Sequence, residues 1–133
     1  MTDVPALLTS AHNIAVVGLS SEPSRPSYGV AKYLQEVGYR IFPVNPNETE
    51  VLGETCYPDL ESVPERVDIV DIFRRAEFVP EIVEAAVRIG ARAVWMQQGI
   101  AHPAAAARAE AAGLLVVMDR CILREHTRMA RTI

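Results

Sequence analysis

The sequence has no run of about 20 apolar residues, so a membrane-spanning helix is not expected. It has no basic excess either. Thirteen Lys and Arg stand against 17 Asp and Glu, 13 − 17 = −4 with His neutral. Nothing offsets a phosphate backbone, which disfavours a nucleic-acid role. Cysteine is scarce: Cys56 and Cys121 lie far apart and no C-x-x-C pair exists. The first ten residues contain Asp3 and no basic stretch ahead of their short apolar segment, so no signal peptide is expected. Reduced thiols and a cytoplasmic location follow as expectations. Linkers, low-complexity tracts and internal repeats are missing. What the 133 residues do have is hydrophobicity, at half of the total, with under a quarter charged. That composition excludes disorder as the main state. It fits a single domain over residues 1–133, long enough to bury about two thirds of its unfolded surface without disulfide or metal.

Short apolar runs alternate with amphipathic stretches. Asn13-Ile-Ala-Val-Val-Gly-Leu19 is an apolar run that reaches a glycine. Tyr28 to Val37 carries Val30, Ala31, Tyr33, Leu34 and Val37 at helical spacing, and Gly38 stops it. Arg40 to Val44 reads as the second strand, Asn45 to Glu48 as a turn, and Glu54 to Tyr57 as a short edge strand. Asp59 to Val63 reads as a helical turn. Val67 to Phe73 is a strand, Phe78 to Ile89 a helix ended by Gly90, Ala93 to Met96 a strand, and Pro103 to Ala112 a helix ended by Gly113. Leu114 to Met118 is the last strand, and Ile122 to Ala130 a final helix. Buried strands alternating with helices predict an α/β fold: one Rossmann-like, doubly wound domain with a five-stranded, mostly parallel sheet.

Ligands of such sheets bind outside the carboxyl ends of the strands, where strand order reverses. That rule selects the loops 18–28, 45–48, 73–77, 97–101 and 119–121. The first reads Gly18-Leu-Ser-Ser-Glu-Pro-Ser-Arg-Pro-Ser-Tyr-Gly29. Gly18 permits a sharp turn, Ser20, Ser21, Ser24 and Ser27 offer hydroxyls and N–H groups, and Ser27 is placed to cap the next helix. Free N–H groups and the helix dipole favour a phosphate, and Arg25 adds a permanent cation. The bland alternative is a polar loop that merely caps a helix. The loop is not G-x-G-x-x-G: Ser20 and Pro23 replace two of the glycines, and no acid ends the second strand, so NAD is disfavoured. No Walker A sequence occurs.

Phe73-Arg74-Arg75 follows a buried strand, where the arginines could meet a pyrophosphate and Phe73 an adenine. They could equally be exposed arginines balancing Glu77 and Glu81. Gln97-Gln98-Gly99 suits close approach of a ligand, or is a plain turn. No metal spacing and no nucleophile elbow is present, so neither a metal site nor a catalytic residue is assigned. His102 is the one histidine near the expected cleft. Asp68 and Asp71, three apart in a strand, point to opposite faces and cannot be a paired-carboxylate site. Asp71 could orient a loop. Cys121 lies at the ligand edge or is simply buried.

Together, Gly18-Leu-Ser through Pro23-Ser-Arg-Pro-Ser-Tyr28, Pro43-Val-Asn-Pro46, Val67 to Arg74, Trp95-Met-Gln-Gln-Gly99 and Asp119-Arg-Cys121 resemble the small stand-alone CoA-binding proteins. These are related to the N-terminal CoA-binding domain of the succinyl-CoA synthetase alpha subunit. The resemblance runs from about Ile14 to Arg128. It implies coenzyme A, or an acyl-CoA, as the ligand, with its ADP portion across the carboxyl edge. Gly18, Ser20, Arg25 and Ser27 would hold phosphate, with Leu19 and Tyr28 in the same loop. Asn45 and Pro46 would form a wall beside the nucleotide. Phe73, Arg74 and Arg75 would contact adenosine or phosphate. Gln98 and Gly99 would border the pantetheine arm. The synthetase has a lysine after its second strand, where this chain continues Asn47-Glu48, and a second domain with a phosphorylated histidine for which this chain has no room. Ligase activity is therefore not carried over. The expectation is a non-catalytic carrier, sensor or regulatory protein. The rivals are a small enzyme acting on a CoA thioester or nicotinamide nucleotide with His102 as base, and a mixed disulfide between Cys121 and CoA. The alanine-rich helix and the C-terminal segment could pack within the monomer, in a homo-oligomer or against another protein.

Overall fold

A computed structural model describes residues 2–131, and all five of the main apolar runs form strands in it. The chain runs α1 (Val4–Ser10), β1 (Asn13–Val17), α2 (Pro26–Glu36), β2 (Arg40–Val44), β3 (Glu50–Val51), β4 (Glu54–Thr55), β5 (Ile69–Ile72), α3 (Val79–Ile89), β6 (Ala93–Met96), α4 (Pro103–Ala111), β7 (Leu115–Val117) and α5 (Ile122–Arg131). Five strands pair in the order β2-β1-β5-β6-β7, and every pairing is parallel rather than mostly so. β3 and β4 form a separate antiparallel hairpin, and Tyr57 adds one parallel bridge to Val44 at the sheet edge.

Strands β1, β5 and β6 are buried on both faces, which is why they read as continuous apolar runs. Ile14, Val16, Ile69 and Trp95 face the layer of α1, α2 and α5. Ala15, Val17, Val70, Ile72 and Met96 face α3 and α4. Helix α3 buries Val79, Ile82, Val83 and Ala86, the 3.6-residue stripe, and ends where Gly90 turns left-handed at φ 72°. Helix α2 starts on Pro26, whose missing N–H is no loss in a first turn.

Two differences from the sequence expectations have local causes. Helix α1 was not expected: its seven residues are too few to show a period, although Asp3 accepts the Ala6 N–H and Pro5 sits in the first turn. Ser27 does not cap α2. It lies inside the helix and is buried, and Arg25 takes the cap position without a side-chain bond.

The chain leaves β1 for the edge strand β2, then crosses back to β5 and continues outward through β6 to β7. Strand order therefore reverses between β1 and β5, so a crevice opens outside their carboxyl ends.

Candidate functional site

That crevice is built on a close contact. The Phe73 N–H donates to the Val17 carbonyl at 2.9 Å, and the Gly18 N–H to the Val44 carbonyl at 2.8 Å. Gly18 takes φ +89°, and a Cβ there would stand 2.7 Å from the Phe73 carbonyl oxygen. Only glycine lets the two loops touch in this way. Asn45 braces the loop from the β2 side, donating from Nδ2 to the Leu19 carbonyl at 3.0 Å.

Two hollows open on either side of this contact and meet at Arg74. The first, about 730 Å³, lies toward α3; Gly18, Ser20, Arg25, Asn45, Pro46 and Arg74 contribute to its lining. The second, about 740 Å³, lies toward α2 and α5; Phe73, Gln97, Gln98, Gly99 and Cys121 are among its walls. Both volumes fall in the range of small-molecule sites.

The first loop is tied by its own polar groups. The Ser20 N–H donates to Ser27 Oγ at 3.1 Å, the Glu22 N–H to Ser20 Oγ at 3.0 Å, and the Ser21 N–H to Glu48 Oε2 at 2.7 Å. Two of the N–H groups expected to be open to a ligand, those of Ser20 and Ser21, thus have partners. The Ser21 backbone bond holds the Glu48 carboxyl below its usual value. Arg25 forms no ion pair among the described residues, and the first turn of α2 carries no acid. A cation at the positive end of a helix is unfavourable unless an anion joins it.

Arg74 lays its guanidinium over the Phe78 ring, 4.1 Å from the centroid, while Arg75 pairs with Glu77 at 3.4 Å. Behind the second hollow, Gln97 Nε2 donates to Asp71 Oδ1 at 2.5 Å. Asp71 is fully buried in β5, and burial pushes its carboxyl up to about 7, the Gln97 bond opposing that rise. The rim is set by Asp119, at φ 60°, whose Oδ1 accepts the Gly99 N–H at 2.7 Å, and by Trp95, whose Nε1 donates to the Arg120 carbonyl at 2.8 Å.

Of the residues named from sequence, Gly18, Ser20, Arg25, Asn45, Pro46 and Arg74 come together at the first hollow. Phe73, Arg74, Arg75, Gln98 and Gly99 come together at the second, so Phe73 stands on the opposite side from the α3 cleft. Leu19 is fully buried, Ser27 serves the loop, and Tyr28 packs against the core; none of the three lines either hollow. His102 also lies elsewhere, capping α4 by accepting the Ala105 N–H at Nδ1, 3.1 Å away. Gln97 was singled out with its loop but given no contact of its own, and Asp59 and Arg88 were missed. Gln97 was legible, since alternation through β6 puts residues 93, 95 and 97 on one face with Asp71 in register beside Trp95. Asp59 and Arg88 reach the first hollow through tertiary placement, which no local pattern signals.

The geometry defines a Rossmann-like domain with a ligand crevice at its switch point. The CoA binding domain family matches residues 12–127, and the chain belongs to that family. It is 38% identical over 124 residues to the uncharacterized protein YneT of Bacillus subtilis, covering 93% of this chain and 92% of that one. A solved hypothetical protein from Pyrococcus horikoshii superposes with a TM-score of 0.95 at 41% identity, over 98% of this chain and 93% of the other. An ADP-forming acetate–CoA ligase of Archaeoglobus fulgidus is 34% identical over 73 residues, 53% of this chain but only 11% of the ligase.

Proposed function

We propose that the protein binds coenzyme A across the carboxyl edge of the sheet, as a carrier, sensor or regulatory protein rather than as a catalyst. The observation that carries this reading is the pair of unlike hollows joined at Arg74. CoA has an anionic nucleotide head and a long, uncharged arm ending in a thiol. The first hollow offers Arg25, Arg74, the α2 N-terminus and the polar side chains of Ser20 and Asn45, which suit the phosphorylated head. The second offers Pro26, Val30, Phe73 and Ile100 with the Gln97 and Gln98 amides, which suits the arm. The non-catalytic reading is supported by His102, whose Nδ1 is engaged at a helix cap outside both hollows. Family membership supports the choice of CoA over other nucleotides.

Arg25→Ala and Arg74→Ala should each weaken CoA binding by about 1.5–3 kcal/mol, the worth of a hydrogen bond to a charged group. Titration calorimetry reads this directly. Wild-type affinity in both variants would remove the head group from the first hollow.

A further inference from the structure

Asp71 is a carboxyl in the middle strand of the sheet, beside Val16 on β1 and Trp95 on β6. Its Oδ1 accepts from Gln97, and its Oδ2 is buried with no hydrogen-bond partner among the described residues. An apolar side chain would avoid the penalty of burying that group. No charged neighbour contributes to the rise in its pKa, which comes from burial, with the Gln97 amide as the one opposing contact. The carboxyl is therefore not half of an ion pair. What it does have is a hold on Gln97, and Gln97 reaches the second hollow.

A carboxylate only accepts hydrogen bonds, so it dictates which end of the amide faces it. Nε2 turns inward to Asp71, so Oε1 is the end of the amide that Asp71 does not hold, on a residue that lines the hollow. We propose that Asp71 and Gln97 together read the sulfur end of the ligand. Asp71 is a positioning residue that keeps an acceptor facing the second hollow, and the hollow thereby selects a free thiol, which donates, over an acyl thioester, which cannot.

The selection follows from the inventory of donors. A thiol S–H is a weak donor and meets Oε1 favourably. A thioester brings only a carbonyl oxygen and a sulfur, so acceptor faces acceptor and the Gln97 oxygen is left unsatisfied. The charged and titratable groups around the same hollow are Arg74, Arg75, Arg124 and Cys121. Arg74 is assigned to the ligand head and Arg75 is paired with Glu77, which leaves Arg124 to donate to an acyl carbonyl instead.

This inference rests on the reading that CoA is the ligand and that its arm enters the second hollow. The test is titration calorimetry of the intact protein at pH 8, above the Asp71 pKa of about 7 so that the carboxylate predominates, with CoA, acetyl-CoA and desulfo-CoA, which lacks the sulfur atom. CoA should bind about five- to a hundredfold more tightly than acetyl-CoA, the range for a buried acceptor left without a partner. It should also bind several-fold more tightly than desulfo-CoA, which is smaller and so excludes crowding as the cause. In Asp71→Asn the neutral amide can face Gln97 with either end, so the CoA to acetyl-CoA preference should collapse toward unity while CoA still binds. The wild-type ratios stand without that variant should it fold poorly. Equal binding of all three ligands would overturn the thiol selection and leave the CoA reading in place. Tighter binding of acetyl-CoA would assign the end group to Arg124 and overturn it too. Failure of all three to bind would overturn both.

Discussion

At Gly18 the chain needs both a left-handed backbone and an empty Cβ position, since the Phe73 carbonyl oxygen would lie 2.7 Å from a methyl group there. Gly18→Ala should therefore lower stability by about 1–3 kcal/mol from backbone strain alone, more if Phe73 cannot move, read as a shift in the denaturant midpoint. Gly113→Ala, with a similar φ of +90° but open space around it, separates strain from contact and should cost less. Asp71 makes a prediction of opposite kind. Its folded pKa, about 7, lies above the ordinary carboxyl value near 4, so the folded state holds the proton longer. Stability from this group is present at low pH and is lost as pH rises from about 4 to about 7. Asp71→Asn should abolish that loss, so the variant should gain on the wild type across this window in chemical denaturation and hold a constant difference above it. A gap that does not widen with pH would show that the carboxyl is not raised.

Helix α5 shows what a single element contributes. It docks through Ile122 and through His126, whose Nδ1 shares a hydrogen bond with Tyr33 Oη at 2.6 Å, with Thr127 Oγ1 donating to the same Tyr33 oxygen at 3.2 Å. The Tyr33 and Tyr39 rings both meet the imidazole edge to face. Burial lowers the His126 pKa. A base depressed in the fold is charged first in the unfolded chain, so its contribution is present above pH 6.5 and lost as pH falls below it. Amide exchange in α5 should accelerate relative to α3 between pH 7 and pH 5.5, once corrected for intrinsic rates, and His126→Phe should remove the pH dependence. The elements were largely legible because each carries its own period: β2 and β6 have the expected bounds, and α3 begins one residue later than its pattern. Polar partnerships were less so. Ser27 reads as a cap because it follows Pro26 at a helix start, yet its hydroxyl serves Ser20, seven residues back. The α5 docking joins residues 93 and 94 positions apart, which no window along the chain can display.

For the whole molecule, the order β2-β1-β5-β6-β7 places one switch point between β1 and β5, and both hollows open there. The loops were identifiable because each follows a strand whose direction the alternating pattern implies. The division of those loops between two sides was not, because it depends on where α2, α3 and α5 pack. Phe73 and Arg74 are adjacent in sequence, yet Phe73 lines only the second hollow while Arg74 lines both. No helix of the described residues is long and apolar enough to cross a membrane. On the proposed function, the crevice is built for CoA in particular, with head and arm in separate hollows. Titration calorimetry of the wild-type protein with CoA, NAD and ATP tests it most directly. CoA should bind saturably and one to one, at least tenfold more tightly than either of the others, a gap of about 1.4 kcal/mol or more. Preference for NAD or ATP, or heat of binding from none of the three, would contradict it.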